Sequence, residues 1–385
     1  MSKNKLGERT ICTHTGAVDD PVFNGAVSPV YMSTSYNFLD QDPKRYPRYF
    51  NTPNQEFLGK KVAALEEAEA GMLFSSGMAA ISAVMLTLLK SGDHAVIQND
   101  IYGGTRNFIE AHFNSYGIAY TFTKDLSANS FEACVQDNTK LIYLESPSNP
   151  LLKLVDLFAV AKLAKSKQIT TAIDNTFATP IVQKPITLGV DIVIHSATKY
   201  FGGHSDISAG AVAASKDIMG KIWNLAKDFG GNLSDQTVWL LERSMKTLAI
   251  RVRAQQKNAK KIARFLEKHP AVKKVYYPGL VSHEQHQLAK IQMKGFGAML
   301  SFELSKEYDT VLFLKSLQLI KPSMSLAGVE STMILPALTS HALLSESDRL
   351  AQGISSQLIR FSLGIESKKD LIHDIERAID CSNQK

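Results

Sequence analysis

The 385-residue chain changes the spacing of its apolar positions several times. Up to about residue 55 neither a helical nor a strand period is held, and Pro, Asn, Tyr and Asp are frequent. This stretch reads as an extended arm lying on another surface rather than as a folded unit. From Glu56 onward Phe57, Val62, Leu65 and Ala68 fall near helical spacing, and a second helix is predicted over about 78–89. Short apolar runs at 94–98, 120–123, 141–144, 171–173 and 192–194 read as strands, with amphipathic helices over 105–114 and 156–165 among them. Such alternation predicts a mostly parallel sheet covered by helices, with ligands gathering at the carboxyl ends of its strands. A long helical pattern over 235–267 ends before His269-Pro270. Beyond it, 274–277, 298–302, 318–320 and 358–362 read as strands separated by helices. The expected organisation is α/β, with an arm over 1–55, a large domain over 56–245 and a small α/β carboxy-terminal domain over 246–385.

Composition narrows the class. With 44% hydrophobic and 21% charged residues the chain can bury a large core, which removes disordered and fibrous proteins. Its 43 Lys and Arg against 37 Asp and Glu leave +6, which suits a phosphorylated ligand or plain solubility and gives no case for nucleic acid. No apolar run reaches the ~18 residues of a membrane helix, and no signal-like apolar core follows Met1-Ser2-Lys3, so a cytoplasmic protein without a membrane partner is expected. Cys12, Cys134 and Cys381 have neither metal-binding nor disulfide spacing and read as incidental thiols; no metal is expected.

The chemistry concentrates in five tracts. After Ile192-Val193-Ile194-His195, the polar turn Ser196-Ala197-Thr198-Lys199-Tyr200-Phe201-Gly202-Gly203 carries one lysine. An ammonium buried at a strand end is costly unless its pKa falls and the neutral amine condenses with an aldehyde; otherwise the lysine snorkels to the surface. Asp174, in Thr171-Ala172-Ile173-Asp174-Asn175-Thr176, ends another buried strand, where an ionised acid needs a cation. A protonated pyridine nitrogen is such a cation, and protonation makes the ring an electron sink; a helix cap or internal salt bridge is the plainer role. Phe74-Ser75-Ser76-Gly77-Met78 sets small residues before a helix, where backbone N–H groups can seat a phosphate or where the serines merely cap. Tyr102, in Tyr102-Gly103-Gly104-Thr105, can lie over a heterocycle or occupy a surface turn. Arg360, alone in the apolar Leu358-Ile359-Arg360-Phe361-Ser362, wants a bidentate anion, either a substrate α-carboxylate or an internal acid.

In this order, along nearly the whole chain, these tracts resemble the Cys/Met-metabolism family of pyridoxal-phosphate enzymes. That family includes cystathionine β-lyases, γ-lyases and γ-synthases, methionine γ-lyases and O-acylhomoserine sulfhydrylases. Residues 191–203 are especially close to its lysine signature. The resemblance implies the fold-type I, aspartate-aminotransferase-like architecture with pyridoxal 5'-phosphate as cofactor. It implies that Lys199 forms the Schiff base and moves protons, that Asp174 pairs with the ring nitrogen, and that Tyr102 stacks on the ring and can act as a base. Gly77, Met78, Ser196 and Thr198 would hold the phosphate, with Thr176 near the ring; Arg360, Asn149 and Ser325 would bind the substrate carboxylate. Members are typically tetramers of two close dimers, in which a Tyr-x-Arg pair of the arm reaches the neighbouring subunit's phosphate. Tyr46-Pro47-Arg48 matches that pair.

There are departures. Phe50 replaces the glycine usual after that arginine, and Asn51-Thr52-Pro53 replaces the customary Asn-Pro-Thr. Gly104 stands where methionine γ-lyases carry cysteine, and Met324 precedes Ser325 where many γ-synthases and cystathionine γ-lyases carry glutamate. A carboxylate there could bind the distal ammonium of cystathionine or steer a proton, and Met324 can do neither. The expected reaction is therefore β-elimination of L-cystathionine to homocysteine, pyruvate and ammonia. The alternatives are γ-elimination from cystathionine or methionine, bond formation by a γ-synthase or O-acylhomoserine sulfhydrylase, and a cofactor-free scaffold whose cleft binds protein.

Overall fold

A computed structural model describes residues 6–342 and 345–383. Strands β1 (Ala70–Phe74), β2 (His94–Ile97), β3 (Ala119–Phe122), β4 (Thr139–Glu145), β5 (Thr170–Asp174), β6 (Ile192–His195) and β7 (Gly210–Ala214) form one sheet, in the order β1-β7-β6-β5-β4-β2-β3. β7 is antiparallel to both its neighbours, and the others run one way. Their carboxyl ends therefore open on a single edge. Helices cover both faces, so the middles of the inner strands are apolar on both sides. Ile142, Leu144, Ile173 and Val193 enter the core on one face, and Leu141, Tyr143, Ala172, Ile192 and Ile194 enter the core on the other.

Strands β8 (Val272–Tyr276), β9 (Met299–Leu304), β10 (Lys321–Pro322), β11 (Thr332–Ile334) and β12 (Leu358–Ser362) form a second sheet, in the order β10-β11-β12-β9-β8. It is antiparallel apart from the β10–β11 pair. Its core joins Leu300, Phe302, Ile359 and Phe361 to Leu371 and Ile375 of the helix Lys368–Ser382 and to Ala259, Ile262 and Leu266 of the helix Leu248–Leu266. The first half of that same helix sends Leu248, Ala249 and Val252 into the core of the larger sheet, so it ties the two units together.

Some expectations are corrected. The amino-terminal stretch contains a helix, Glu8–His14, whose Ile11 and Cys12 are buried against the helices Pro53–Glu66 and Leu248–Leu266; Lys61 donates to the Cys12 carbonyl at 2.9 Å. The pattern over 235–267 is two helices, Asp235–Met245 and Leu248–Leu266. Between them Thr247 takes φ −104° and ψ 3°, and its hydroxyl accepts from Arg251 Nε at 3.1 Å. Residues 318–320 are not a strand, because the Asp374 carboxylate accepts the N–H groups of Gln318, Leu319 and Ile320 at 2.8 to 2.9 Å and closes them into a turn. β1, β7, β10 and β11 have no counterpart among the predicted strands. Among the described residues no helix is long and apolar enough to cross a membrane.

Candidate active site

Five strand ends deliver polar tracts to one edge of the larger sheet: Ser75 to Gly77 after β1, Tyr102 after β2, Glu145 ending β4, Asp174 ending β5, and Ser196 to Lys199 after β6. The turn after β6 is closed by Lys199 N–H to Ser196 O at 3.0 Å, Gly202 N–H to Ala197 O at 2.8 Å and Gly203 N–H to Lys199 O at 2.7 Å. Arg251 fixes it from outside, donating to the carbonyls of Tyr200 at 2.9 Å and Phe201 at 3.4 Å. Gly203 is required beside it, since φ is +70° and a Cβ would stand 1.9 Å from Arg251 Nη1.

The half-buried Lys199 amine donates to Ser325 Oγ at 2.8 Å. Burial first, then the Arg360 charge, hold it below the usual lysine range, against the opposing pull of Asp174. A depressed amine pKa favours the neutral nucleophile. Asp174 accepts from Thr176 N–H at 3.0 Å. Burial pushes its carboxyl up, and the Thr176 hydrogen bonds and the charges of His195 and Lys199 act the other way. A ring cation docking there would complete the compensation.

The helix Gly77–Leu88 is capped by Ser76, whose Oγ accepts Ala79 N–H at 3.0 Å. The N–H groups of Gly77 and Met78 have no acceptor among the described residues, so the positive end of the helix offers two donors to an anion. Gly77 abuts the next strand end: a Cβ there would lie 2.8 Å from Ser196 Cβ and 2.9 Å from its Oγ. Ser196 N–H donates to Thr176 Oγ at 2.8 Å, and the Thr198 hydroxyl accepts from Ala209 N–H at 3.0 Å and donates to Ala209 O at 3.1 Å. A small anion could thus be held by helix N–H groups and hydroxyls together.

Tyr102 is 44% exposed and leans over Gly104, where a Cβ would approach Tyr102 Cε1 to 2.5 Å. Arg360 is 5% exposed, and its partners are neutral: Asn149 Oδ1 at 3.1 Å and the Ser325 carbonyl at 2.9 Å. Burial lowers its pKa to about 10, with the Tyr200 and Tyr102 hydroxyls opposing. No internal acid neutralises it among the described residues, which leaves a desolvated guanidinium suited to an incoming carboxylate.

Tyr46 and Arg48 are not brought to this cluster by their own chain. The Arg48 guanidinium lies 5.6 and 5.3 Å from the ring centres of Tyr46 and Tyr49, and it donates to the Lys227 carbonyl. Phe50 takes φ +57°, so it adopts the left-handed turn that glycine makes without strain, and its ring packs 5.3 Å from that of Phe74. A cleft of about 640 Å³ bordered by Phe50, Met72 and Trp223 includes none of the strand-end residues.

Three residues of this region escape the sequence reading. Glu145 carries the same signal as Asp174, a carboxylate closing an apolar strand. His195 pairs with buried Glu66 at 2.5 Å, and Arg251 is an arginine on the buried side of a helical pattern.

The model of the family described as Cys/Met metabolism PLP-dependent enzyme matches residues 9–380. A cystathionine γ-lyase of Bacillus subtilis is 45% identical, over 97% of this chain and 100% of that protein. A cystathionine β-lyase of Lactococcus lactis is 44% identical, over 97% and 98%. Among solved structures, a cystathionine γ-lyase from Lactobacillus plantarum complexed with L-serine superposes with a TM-score of 0.94 at 41% identity, covering 98% of this chain and 99% of the other.

Proposed function

The chain belongs to the Cys/Met-metabolism family of pyridoxal-phosphate-dependent enzymes, and from that premise we propose that it cleaves L-cystathionine by β-elimination to homocysteine, pyruvate and ammonia. Its fold is fold-type I and its cofactor is pyridoxal phosphate. When bound, that cofactor supplies an aldehyde for an amine and a ring that takes up an electron pair.

The observation that carries the reading is the shared partner of Lys199 and Arg360. Ser325 accepts Lys199 at its hydroxyl and Arg360 at its carbonyl, so a carboxylate held by Arg360 and Asn149 brings the neighbouring α-carbon within reach of the Lys199 amine. In this reading Lys199 holds the cofactor and moves the α-proton, and Asp174 faces the ring nitrogen. Tyr102 covers the ring and can take a proton from the incoming amine. Gly77, Met78, Ser196 and Thr198 grip the phosphate, with Thr176 beside the ring. Tyr46 and Arg48 act on the neighbouring subunit of a close dimer, two of which pair into a tetramer.

Met324 favours the β route. It is 67% exposed next to Ser325, and it presents a thioether where a carboxylate could bind the distal ammonium or steer a proton. The relatives do not separate the routes, since a γ-lyase at 45% identity and a β-lyase at 44% are equally similar to this chain. Incubating the holoenzyme with L-cystathionine and identifying the products by mass spectrometry decides between them. Pyruvate with homocysteine is expected; 2-oxobutyrate with cysteine would replace β- by γ-elimination, and neither product would turn attention to carbon–sulfur bond formation.

A further inference from the structure

A second strand-end carboxyl has no part in the function proposed above. Glu145 is 5% exposed and stands beside Asp174 in the parallel register of β4 and β5. Strand alternation puts it on the same face as Tyr143, and in register with Asp174 on the face that carries Ala172. Its backbone is clamped by one amide: Gln98 Oε1 accepts Glu145 N–H at 2.9 Å, and Gln98 Nε2 donates to the Glu145 carbonyl at 2.8 Å. Glu145 Oε2 accepts Tyr102 N–H at 2.7 Å. Tyr102 immediately precedes the helix Gly103–His112 and its side chain caps nothing, so this bond sets where the ring begins.

The surroundings argue for a neutral acid. Glu145 faces Asp174 from β5, Asp100 from the loop after β2 and Tyr143 from its own strand, while the N–H groups of Tyr102 and Asn149 donate to it and act the other way, toward the charged form. No cation is among these neighbours. Lys199 and His195 act on Asp174, and Lys153 acts on Asp100. Two carboxyls side by side in a dry site do not both ionise, and the one nearer the cations keeps the charge. An ionised Glu145 would be a buried anion without a counter-charge. Burial, reinforced by Asp174, pushes its carboxyl well up in the same sense.

We propose that Glu145 is a positioning residue that, as a neutral acid, anchors the Tyr102 backbone so that the Tyr102 ring lies over the cofactor, and leaves the negative charge of the two strand ends to Asp174. The inference rests on the function proposed above.

Four holoenzyme variants test it: Glu145→Ala, Glu145→Gln, Tyr102→Ala and the Glu145→Ala/Tyr102→Ala pair. Losing the anchor in Glu145→Ala lowers kcat about tenfold, with less effect on KM. Glu145→Gln keeps an oxygen for Tyr102 N–H and carries no charge, so it restores most of the loss and leaves the pH titration of the bound cofactor's visible spectrum where it was. The double variant is no slower than Tyr102→Ala alone, because the effect passes through Tyr102. The proposal is overturned if Glu145→Gln shifts the spectral titration or is as impaired as Glu145→Ala, or if the two losses multiply. Should Glu145→Ala not fold, the spectrum of Glu145→Gln decides alone. A wild-type protein that takes up no cofactor refutes the proposed function itself, whereas a normal wild-type spectrum with a shifted Glu145→Gln titration refutes only the role of Glu145.

Discussion

The Lys199 amine and the Ser325 hydroxyl meet at 2.8 Å although 126 positions separate them in the chain. Ser325 reaches that position with φ +77°, and Ala327 follows with φ +69°. Arg360 holds the Ser325 carbonyl, and Ser362 Oγ accepts Ala327 N–H at 2.7 Å, so the second sheet keeps the loop in a backbone region that costs of order 1–3 kcal/mol per residue.

Replacing Ser325 separates the hydroxyl from the strain. Ser325→Ala and Ser325→Gly both lose the partner of Lys199, and each is expected to lower kcat/KM about tenfold. Ser325→Gly adopts φ +77° freely and is expected to be about 1 kcal/mol more stable than Ser325→Ala. Denaturation midpoints measured beside steady-state kinetics check both halves; equal stabilities would show that the loop relaxes.

In the proposed function Arg360 would hold the substrate carboxylate, and its charge also bears on Lys199. Removing its guanidinium in Arg360→Met is expected to raise KM about a hundredfold, the order expected when a buried charge loses its partner. Its positive charge also disfavours the Lys199 ammonium, so without it the lysine pKa moves up toward the ordinary 10.5. The limb of the pH–rate profile that reports the free amine should therefore move to higher pH. A limb that stays in place would mean that the two charges do not communicate.

At the helix end, Gly77 leaves no room for a side chain. A Cβ would lie 2.8 Å from Ser196 Cβ, so Gly77→Ala must displace the β6 turn or the helix start. Overpacking of this kind is expected to weaken cofactor retention about tenfold. Dialysis followed by absorbance of the retained cofactor measures it, and unchanged retention would move the phosphate away from Gly77.

The strands β2 to β6, which pair in parallel, were legible because each joins a short apolar run to a polar end, as at Ile192 to His195. β7, Gly210–Ala214, was not, since its small residues have weak strand preference and are identified only by burial between two neighbours. Asp174 and Arg360 stood out as charges in apolar strands. Glu145 gave the same signal at the end of β4, where Ser146-Pro147 reads as an ordinary turn, and its relation to Tyr102 needed the fold. The break at Lys246-Thr247 was invisible to periodicity because the helices on both sides continue the apolar pattern. The short helix Glu8–His14 is fixed by Lys61 and by the surfaces beneath it, which no local pattern reports.

Arg48 provides the test of the arm. In its own chain it contacts Tyr46, Tyr49 and Lys227, all outside the strand-end cluster. If it serves the neighbouring subunit, Arg48→Ala loses cofactor while its own Lys199 remains intact, and Lys199→Ala, expected to be slower by at least about 10³-fold, still presents a working Arg48. Co-expressing the two inactive variants should then restore activity. Random pairing makes about half of the dimers hybrid, and each hybrid holds one complete site and one doubly defective site, so about a quarter of wild-type turnover returns. An arm acting within its own chain predicts no recovery, because every subunit would still carry one defect.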